Sequence, residues 1–382
     1  MQYRMLGSTG IKVSALGFGA MRLPTQPDRK VARAEAVRVI HRAFELGVNY
    51  IDTAHGYHGG ESEEVVGEAL KGWRDKVTVS TKNPYKQSSG AEWRKNLETS
   101  LRRLGVDCID LYLYHFLSWT EISGPMAVAG GPIEEAQKAL KEGKIRFLSF
   151  SCHDKPENMI KCVDTGLFAT LTCQYNLLDR ANEKAMAHAH AKGMGVIIMG
   201  PVGGGRLVAP SEFQKITHVH AKSTPEIALR FVLSNPVVST ALSGMNAIQQ
   251  VEENVATASR SEPLGDEERL RVIEALEKSK KLAALYCTGC NYCMPCPNDV
   301  QIPTNFRLMN YHRIYGLTEY AKKQYKNIAP TSWGENKGRR ADECKECGKC
   351  EEKCPQKIPI QKQLREVAKV LGGVEKAEKK GS

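Results

Sequence analysis

Two hydrophobic patterns follow each other in turn along the first two thirds of the chain, one typical of buried strands and one typical of amphipathic helices. Short runs of consecutive apolar residues predict buried parallel strands, because strands covered by helices lack a polar side. The eight runs between Val13 and Gly244 are VSALGFG, VNYIDT, KVTVST, CIDLYLYH, IRFLSFS, ATLTCQ, GVIIMG and VVSTALSG. The segments between them repeat apolar residues every three or four positions and often end at glycine, as amphipathic helices do.

Eight strand–helix units within about 245 residues match the count and size of a (β/α)8 barrel. We therefore predict an α/β fold with a TIM barrel over residues 1–265. Beyond it, a charged segment predicts a linking helix over 266–286, and a smaller, mainly helical domain follows over 287–370. The last residues, 371–382, are charged and predict a flexible tail.

The composition fits a globular enzyme and argues against several other classes of protein. Hydrophobic residues make up 41% of the 382 residues. No stretch approaches the roughly 18 to 20 apolar residues of a membrane span, so we expect no membrane partner. The first residues, MQYRMLGSTG, lack the apolar core of a signal peptide, which predicts a cytoplasmic protein. The basic residues form no nucleic-acid-binding motif, so we expect no nucleic acid partner.

The formal net charge is +11, and the excess of Lys and Arg lies mostly after residue 270. A basic face there would attract an acidic redox partner protein, such as a ferredoxin or a flavoprotein. The same charges are also consistent with an ordinary solvated surface. Composition alone leaves both interpretations open.

Eight of the twelve cysteines lie in two runs near the C-terminus. The second run, Cys344 to Pro355, has the C-x2-C-x2-C-x3-C-P spacing of bacterial ferredoxins, and the first, Cys287 to Pro297, is one residue shorter before its last cysteine. Three thiolates so spaced bind one cubane, while the fourth serves the other. We therefore predict two [4Fe-4S] clusters. Their ligands are Cys287, Cys290, Cys293 and Cys354 for one, and Cys344, Cys347, Cys350 and Cys296 for the other.

Zinc is the alternative metal, since two C-x2-C pairs also build tetrahedral sites. Zinc leaves no role, however, for two triads that each end in Cys-Pro. The 47 residues from Pro297 to Glu343 exceed those of a compact ferredoxin, and the module resembles the helical type of dicluster ferredoxin. Outside the runs, Cys108, Cys162 and Cys173 are predicted to be small buried hydrophobic residues.

Four reactive residue types follow three consecutive predicted strands, and the active sites of such barrels lie at strand C-terminal ends. Asp52 ends the second strand and is followed by Tyr57, Lys82 ends the third, and His115 ends the fourth. An ammonium beside a phenol favours the phenolate and so makes the phenol a better acid. We expect Asp52 to keep Lys82 charged, so that Tyr57 can protonate a carbonyl oxygen. His115 would hydrogen-bond the same oxygen.

The segments NYIDTAHGYHGGESEEVVGEAL, VSTKNP and DLYLYH resemble the aldo-keto reductase family, and the likeness runs from about Tyr3 to Ala258. The resemblance implies that these four residues are the family's catalytic tetrad, with Tyr57 as the general acid. It also implies NADP(H) or NAD(H) as cofactor and a small-molecule carbonyl or alcohol as substrate. The whole chain, barrel plus cysteine runs, is similar to the iron–sulfur-containing aldo-keto reductases.

The resemblance further implies a set of cofactor contacts. Ser151 and Gln174 would bind the carboxamide, and the glycines over 200–205 would let the backbone approach the pyrophosphate. Gly244 and the residues after it would face the adenosine. The full predicted set is Ser151, Gln174, Met199, Gly200, Pro201, Val202, Gly203, Gly205, Ser243, Gly244, Gln250 and Asn254.

The chain departs from the family pattern at three points. Cys152 stands where members often have Asn, and Met199 stands where an aromatic residue often stacks on the nicotinamide. Near Gly244 the sequence offers Met245, Asn246 and Gln250 but no Lys or Arg to pair with a 2′-phosphate. The choice between NADP(H) and NAD(H) therefore stays open.

The predicted nicotinamide and the predicted clusters transfer different numbers of electrons. A nicotinamide moves two electrons as hydride and a cluster moves one, yet the chain shows no flavin motif to convert between them. The alternative function is a redox sensor or an electron-transfer adaptor whose barrel binds nucleotide with little catalysis. A weaker alternative places a flavin in the barrel mouth.

Two loops carry weaker predictions. The side chains of His55, His58 and Glu61 could form a metal site in the glycine-rich loop after the second strand. The segment from Ser118 to Pro132 follows the fourth strand and is a candidate substrate lid.

Overall fold

The computed structural model describes residues 1–28, 30–84, 89–203, 221, 223–260, 264–282, 287, 293–354 and 358–374. The chain divides into two compact units. The first is built from Met1–Gly204 and Ala228–Gly265, and the second from Gly205–Ile227 and Asp266–Ser382.

The first unit contains a closed barrel of eight parallel strands, which confirms the predicted (β/α)8 fold. An antiparallel hairpin of β1 (Tyr3–Met5) and β2 (Lys12–Ser14) precedes it. The barrel strands are β3 (Leu16–Gly19), β4 (Tyr50–Asp52), β5 (Thr78–Asn83), β6 (Ile109–Tyr114), β7 (Ile145–Cys152), β8 (Thr170–Gln174), β9 (Gly195–Met199) and β10 (Thr240–Ser243). Strand β10 pairs with β3 and closes the barrel.

The hairpin closes the N-terminal end of the barrel. Its Gly7 packs so tightly that a Cβ there would lie 2.3 Å from the backbone nitrogen of Gly195, at the start of β9. Leu6 and Val13 of the hairpin join the buried barrel residues Tyr50 and Leu111 in one apolar cluster. The predicted first strand is therefore two strands, one in the hairpin and one in the barrel, and only the opposite end of the barrel is left for a site.

Helices follow the barrel strands, as predicted. In the described residues they are α1 (Arg33–Glu45), α2 (Glu61–Ala69), α3 (Gly90–Leu104), α4 (Trp119–Ile122), α5 (Pro132–Lys141), α6 (Pro156–Asp164), α7 (Glu183–Ala191), α8 (Thr224–Leu233) and α9 (Ile248–Ala258). Helix α3 shows why such segments start and stop where they do. Ser89 and Glu92 form a reciprocal capping box at its start, and Gly105 adopts the left-handed conformation at its end.

The second unit is smaller and mainly helical, as predicted. Its described helices are α10 (Asp266–Leu282), α11 (Ile302–Tyr315), α12 (Thr318–Lys326), α13 (Lys349–Glu352) and α14 (Ile360–Gly372). Buried Phe306, Tyr325 and Leu364 give it a core of its own. Helix α10 falls within the predicted linker 266–286, but the domain boundaries themselves stay predictions.

Helix α14 continues to Gly372, two residues into the predicted tail over 371–382. Residues 375–382 of that tail lie outside the described residues. Among the helices that the structure describes, none combines the length and the apolar content needed to cross a membrane.

Candidate active site and cysteine runs

A buried ion pair lies at the C-terminal ends of β4 and β5. Asp52 and Lys82 are each only 3% exposed. The Lys82 ammonium donates hydrogen bonds to the Asp52 carboxylate and, at 2.6 Å, to the Thr53 carbonyl oxygen. Its Nζ also lies 3.4 Å from the Tyr57 hydroxyl oxygen. Ser80 Oγ donates to the second Asp52 oxygen at 2.8 Å, so both carboxylate oxygens have a donor.

The charge on Lys82 depends on its two acidic neighbours. Burial by itself lowers the pKa of this ammonium, but Asp52 and an ionised Tyr57 together outweigh burial and raise the pKa above its ordinary value. Lys82 is therefore charged at neutral pH.

His115 completes the group at the end of β6. Its ring centroid lies 5.8 Å from that of Tyr57, with the two rings edge-on at 77°. Both side chains are partly exposed, whereas Asp52 and Lys82 are buried behind them. The structure thus brings the four predicted residues together at the barrel mouth. Their catalytic roles stay predictions.

A second network, not predicted from the sequence, fixes the loop that carries Tyr57. The backbone N–H of His55 donates to the Lys82 carbonyl oxygen at 3.1 Å. Arg103 of α3 donates to the His55 carbonyl oxygen at 3.0 Å and to the buried Glu63 at 3.2 Å. Thr81 Oγ1 donates to the other Glu63 oxygen at 2.7 Å. Strand β5, the loop and α3 are therefore tied together directly behind the Lys82 side chain.

Phe116 adopts a backbone conformation that is rare for a bulky residue. Its φ is +61°, and its side chain is 45% exposed at the barrel mouth. The ring stacks on His115 with centroids 4.1 Å apart and lies 4.9 Å from the His153 ring. Ser151 Oγ accepts a hydrogen bond from the Phe116 N–H at 3.0 Å. Ser151, predicted as a carboxamide contact, therefore also fixes this strained turn.

The predicted nicotinamide contacts lie on neighbouring strand ends. Gln174 ends β8 and Met199 ends β9. Gly200 has φ +64°, and a Cβ there would lie 2.7 Å from the Gln174 amide nitrogen, so the position requires glycine. The Gly203 N–H donates to the Gly200 carbonyl oxygen at 2.8 Å and closes a turn. That turn also contains Pro201 and Val202, while the predicted contact Gly205 lies outside the described residues.

The predicted adenosine contacts meet a cation that sequence reasoning missed. Asn254 Nδ2 donates to Ser243 Oγ at 3.2 Å, and Gln250 accepts a backbone N–H on the same loop. The Arg22 side chain, which follows β3, comes within 3.3 Å of the point where a Cβ on Gly244 would lie. Arg22 is more than 200 residues away in sequence, and only closure of the barrel by β3 and β10 brings the two together.

The isolated cysteines are buried as predicted at Cys162 and Cys173, whereas Cys108, also predicted to be buried, is only half-buried. Cys152, Cys162 and Cys173 are fully buried, and Cys152 lies directly beside Cys173 on adjacent strands. Burial raises the pKa of Cys152 to about 11 and that of Cys162 to about 12, so both stay protonated near neutral pH. Cys108 is half-buried, and burial raises its pKa as well.

The second cysteine run is a tightly turned loop. Glu346 and Gly348, which lie between its cysteines, have φ values of +55° and +77°. Cys344 Sγ accepts the Glu346 N–H at 3.4 Å, and Cys347 Sγ accepts the Asn298 side-chain amide at 3.8 Å. Hydrogen bonds from amides to thiolates are a recognised means of tuning iron–sulfur centres.

Backbone hydrogen bonds bring the first run beside the second. The Asp299 N–H donates to the Cys296 carbonyl oxygen at 2.9 Å, and the Arg339 N–H donates to the Asp299 carbonyl oxygen at 2.8 Å. Burial, followed by the negative charges of Cys344, Glu351 and Cys296, raises the pKa of Cys350 to about 11. Cys296 therefore lies within electrostatic range of the run to which the prediction assigns it.

The structure describes three of the other four predicted ligands. Cys287, Cys293 and Cys354 are half-buried, and Cys290 lies outside the described residues. Within the described ranges, no three His, Cys, Asp or Glu side chains are close enough to hold one metal ion. The all-thiolate donor set and the C-x2-C-x2-C spacing of each run fit an iron–sulfur cluster.

The loop metal site suggested by the sequence does not form. His58 Nε2 lies 3.1 Å from the Met21 carbonyl oxygen, and Glu61 accepts the Val31 N–H at 2.8 Å. His55 faces Ser100 instead, at 3.5 Å. These three side chains are used to hold the loop.

The candidate lid over 118–132 begins with a short helix. Ser118 and Glu121 form a capping box at the start of α4, and the Trp119 N–H donates to Asp154 at 3.3 Å. Val128 is exposed. A lid function stays a prediction.

The fold and the site define an oxidoreductase barrel, and comparison with known proteins agrees. The model of the aldo/keto reductase family matches residues 15–277, and that of a 4Fe-4S dicluster domain matches residues 286–358. The chain belongs to the aldo/keto reductase family and carries a C-terminal 4Fe-4S dicluster domain.

Individual relatives share the barrel. L-galactose dehydrogenase of Arabidopsis thaliana is 33% identical over 311 residues, which cover 74% of this chain and 96% of that protein. NADH-specific methylglyoxal reductase of Escherichia coli is 27% identical over 325 residues, covering 72% and 98%. The holo form of the aldo-keto reductase AKR11C1 from Bacillus halodurans has a TM-score of 0.63 and 30% identity, covering 72% of this chain and 96% of that one.

Proposed function

We propose that this protein is an NAD(P)H-linked oxidoreductase that reduces a small-molecule carbonyl, or oxidises the corresponding alcohol, with Tyr57 as the acid. The observation that carries the proposal is the contact of one buried ammonium with both a carboxylate and a phenol. Lys82 is charged because Asp52 is beside it, and it lies 3.4 Å from the Tyr57 oxygen. A charged ammonium beside a phenol favours loss of the phenol proton, which is what a general acid of this type needs.

Each residue then has a distinct task. Tyr57 donates its proton to the carbonyl oxygen as negative charge develops there, and Lys82 stabilises the phenolate that remains. His115 binds the same oxygen and orients it towards Tyr57. A nicotinamide, when bound, supplies hydride to the carbonyl carbon. In alcohol oxidation the same residues act in reverse.

The nucleotide would lie across β7 to β10. Gly200 and Gln174 form a close-packed floor for the nicotinamide, and Asn254 with Ser243 offers polar atoms at the adenosine end. Arg22 would pair with the 2′-phosphate, which favours NADP(H) over NAD(H). Because two relatives are named for methylglyoxal and L-galactose, these compounds are the first substrates to assay.

The C-terminal domain would hold two [4Fe-4S] clusters that exchange single electrons. The sets are those predicted from the spacing, with Cys296 and Cys354 each serving the cluster of the other run. The backbone bridge between Asp299 and Arg339 supports this crossing, because it brings the end of the first run to the start of the second. Anoxic protein should contain about eight irons and eight sulfides per chain.

Tyr57→Phe tests the barrel half of the proposal. We expect carbonyl reduction to fall by about 10²- to 10⁴-fold, because the phenol is the proton donor. Nucleotide binding, followed by fluorescence titration, should change less than twofold. Turnover that survives the substitution would exclude Tyr57 as the acid. Nucleotide binding without turnover of any carbonyl in the unmodified protein would favour the adaptor function.

A further inference from the structure

The second unit contains a groove that neither proposed site uses. Its walls are α11, α12 and the turn Gly334–Asn336, and its volume is about 300 Å³. The side chains that line it include Arg307, Tyr311, Tyr320, Gln324, Trp333 and Asn336. All of these belong to the stretch of chain between the two cysteine runs, which is longer than a compact ferredoxin needs.

The groove contains a pair of tyrosine rings in contact and a solvent-exposed tryptophan at its rim. The rings of Tyr311 and Tyr320 meet edge-on, with centroids 5.9 Å apart and planes at 60°. Trp333 at the rim is 92% exposed, although Trp is among the more deeply buried residues of folded proteins on average. Trp, Tyr and Arg are also the residue types enriched at the centres of protein interfaces.

Positive charge lies beside these rings. Arg307 lines the groove itself. On α12, Lys323 flanks the groove residues Tyr320 and Gln324, whereas Lys322 and Lys326 lie on the opposite side of the helix. A surface of this kind attracts an acidic partner and repels a basic one.

The exposure of Trp333 favours a protein over a small molecule as the occupant. A small-molecule site encloses most of its ligand within its walls. Here the largest side chain of the groove, Trp333, stands at the rim and is 92% exposed. A partner surface that buries one such ring gains a single strong anchor, which suits the small and short-lived interfaces of electron transfer.

We propose that this groove docks an acidic one-electron carrier protein of the ferredoxin class, with an apolar side chain of the carrier against Trp333. The inference rests on the proposed function, in which the clusters exchange single electrons. In each encounter the reduced carrier loses one electron and one oxidised cluster of this protein gains it. No bond or proton changes place. Carboxylates of the carrier face Arg307 and Lys323.

The test uses the anoxic holoprotein and an acidic plant-type ferredoxin as the probe, with binding measured by calorimetry at low and high salt. We expect binding that weakens as salt is added. Trp333→Ala should weaken it at least tenfold, because the anchor is lost. Leu270→Ala, at another exposed apolar residue of the same unit that does not line the groove, should change it less than twofold. Lys323→Glu should weaken binding at low salt only.

The outcomes separate this inference from the proposed function. Absence of ferredoxin binding, or equal binding by the Trp333→Ala variant, would overturn the docking site. Equal binding of basic cytochrome c would also overturn it, because charge would then play no part. Carbonyl turnover with NAD(P)H is measured on the same samples and should be unchanged by Trp333→Ala. Absence of turnover in the unmodified protein would instead contradict the proposed barrel chemistry and would not affect the docking result.

Discussion

The central ion pair of the barrel unit lies on strands, whereas most of the described predicted cluster ligands in the C-terminal unit lie outside helices and strands. Asp52 ends β4, Lys82 is the penultimate residue of β5, and their ion pair is buried. Cys344 and Cys347 lie in a turn with the left-handed residues Glu346 and Gly348, while Cys350 lies in α13. The ion pair is therefore supported by the strands that carry it, while we expect the cysteine runs to be stabilised by what they bind.

The largest expected effect comes from breaking the preformed site at its centre. Lys82→Met removes the ammonium and leaves the buried Asp52 carboxylate without its countercharge, with the Ser80 hydroxyl as its remaining side-chain donor. We expect turnover to fall by at least about 10²-fold and the free energy of unfolding to fall by about 3 to 5 kcal/mol. Chemical denaturation and steady-state kinetics on the same variant measure the two losses.

A double variant distinguishes the two losses. Adding Asp52→Asn to Lys82→Met removes the buried charge, so most of the stability should return while turnover stays lost. If stability does not return, the unpaired carboxylate was not the cause of the destabilisation.

Removing the clusters sharpens the contrast between the units. After iron chelation under anoxic conditions, we expect amide exchange in α11 and α14 to rise at least tenfold, since the ligands no longer tie the two runs together. The strands of the barrel, which have their own core, should keep their protection. Hydrogen exchange by mass spectrometry reports both units in one experiment. Equal loosening of the barrel strands would contradict the comparison.

A smaller effect is expected at the cofactor end of the barrel. Arg22→Ala should raise the KM for NADPH by about 10- to 100-fold, as expected for a lost charged hydrogen bond. The KM for NADH should change much less. Arg22→Lys, which keeps the charge, should recover part of the affinity. An equal rise in KM for NADPH and NADH would indicate that Arg22 contacts the pyrophosphate and not the 2′-phosphate.

The smallest effect concerns pH. Asp52 and an ionised Tyr57 raise the pKa of Lys82 above its ordinary 10.5, so folding favours the ammonium. This stabilisation is complete below the pKa of the unfolded chain and is lost as pH rises through the folded value. Between about pH 6 and 9 the pair should therefore add no slope to the free energy of unfolding. A slope that disappears in Lys82→Met within that range would contradict this assignment.

Local pattern was enough to predict the barrel and its reactive centre. Each barrel strand lies within a short, largely apolar run, and Asp52, Lys82 and His115 stand within one residue of strand ends, where the fold brings them together. The hairpin was missed because Lys12–Ser14 continues directly into the first barrel strand, and nothing local marks the break at Ala15.

The parts that sequence reasoning missed depend on contacts between distant segments. Arg22 reaches Gly244 only because the barrel closes, and a glycine gives no local sign of the side chain that passes over it. Glu63 and Arg103 resemble ordinary helix-surface charges until the fold buries the carboxylate behind Thr81. The left-handed φ of Phe116 is likewise set by Ser151 and not by its own residue type.

The order of the barrel strands has a consequence for synthesis on the ribosome. The residues proposed for proton transfer are all encoded between Asp52 and His115, whereas the strand ends proposed to grip the nucleotide run from Ser151 to Ser243. A nascent chain therefore carries its complete acid–base group long before it can retain a hydride donor. Strand β10, the last barrel strand to be synthesised, pairs with β3 and closes the barrel. The same pairing brings Arg22, after β3, beside Gly244, after β10.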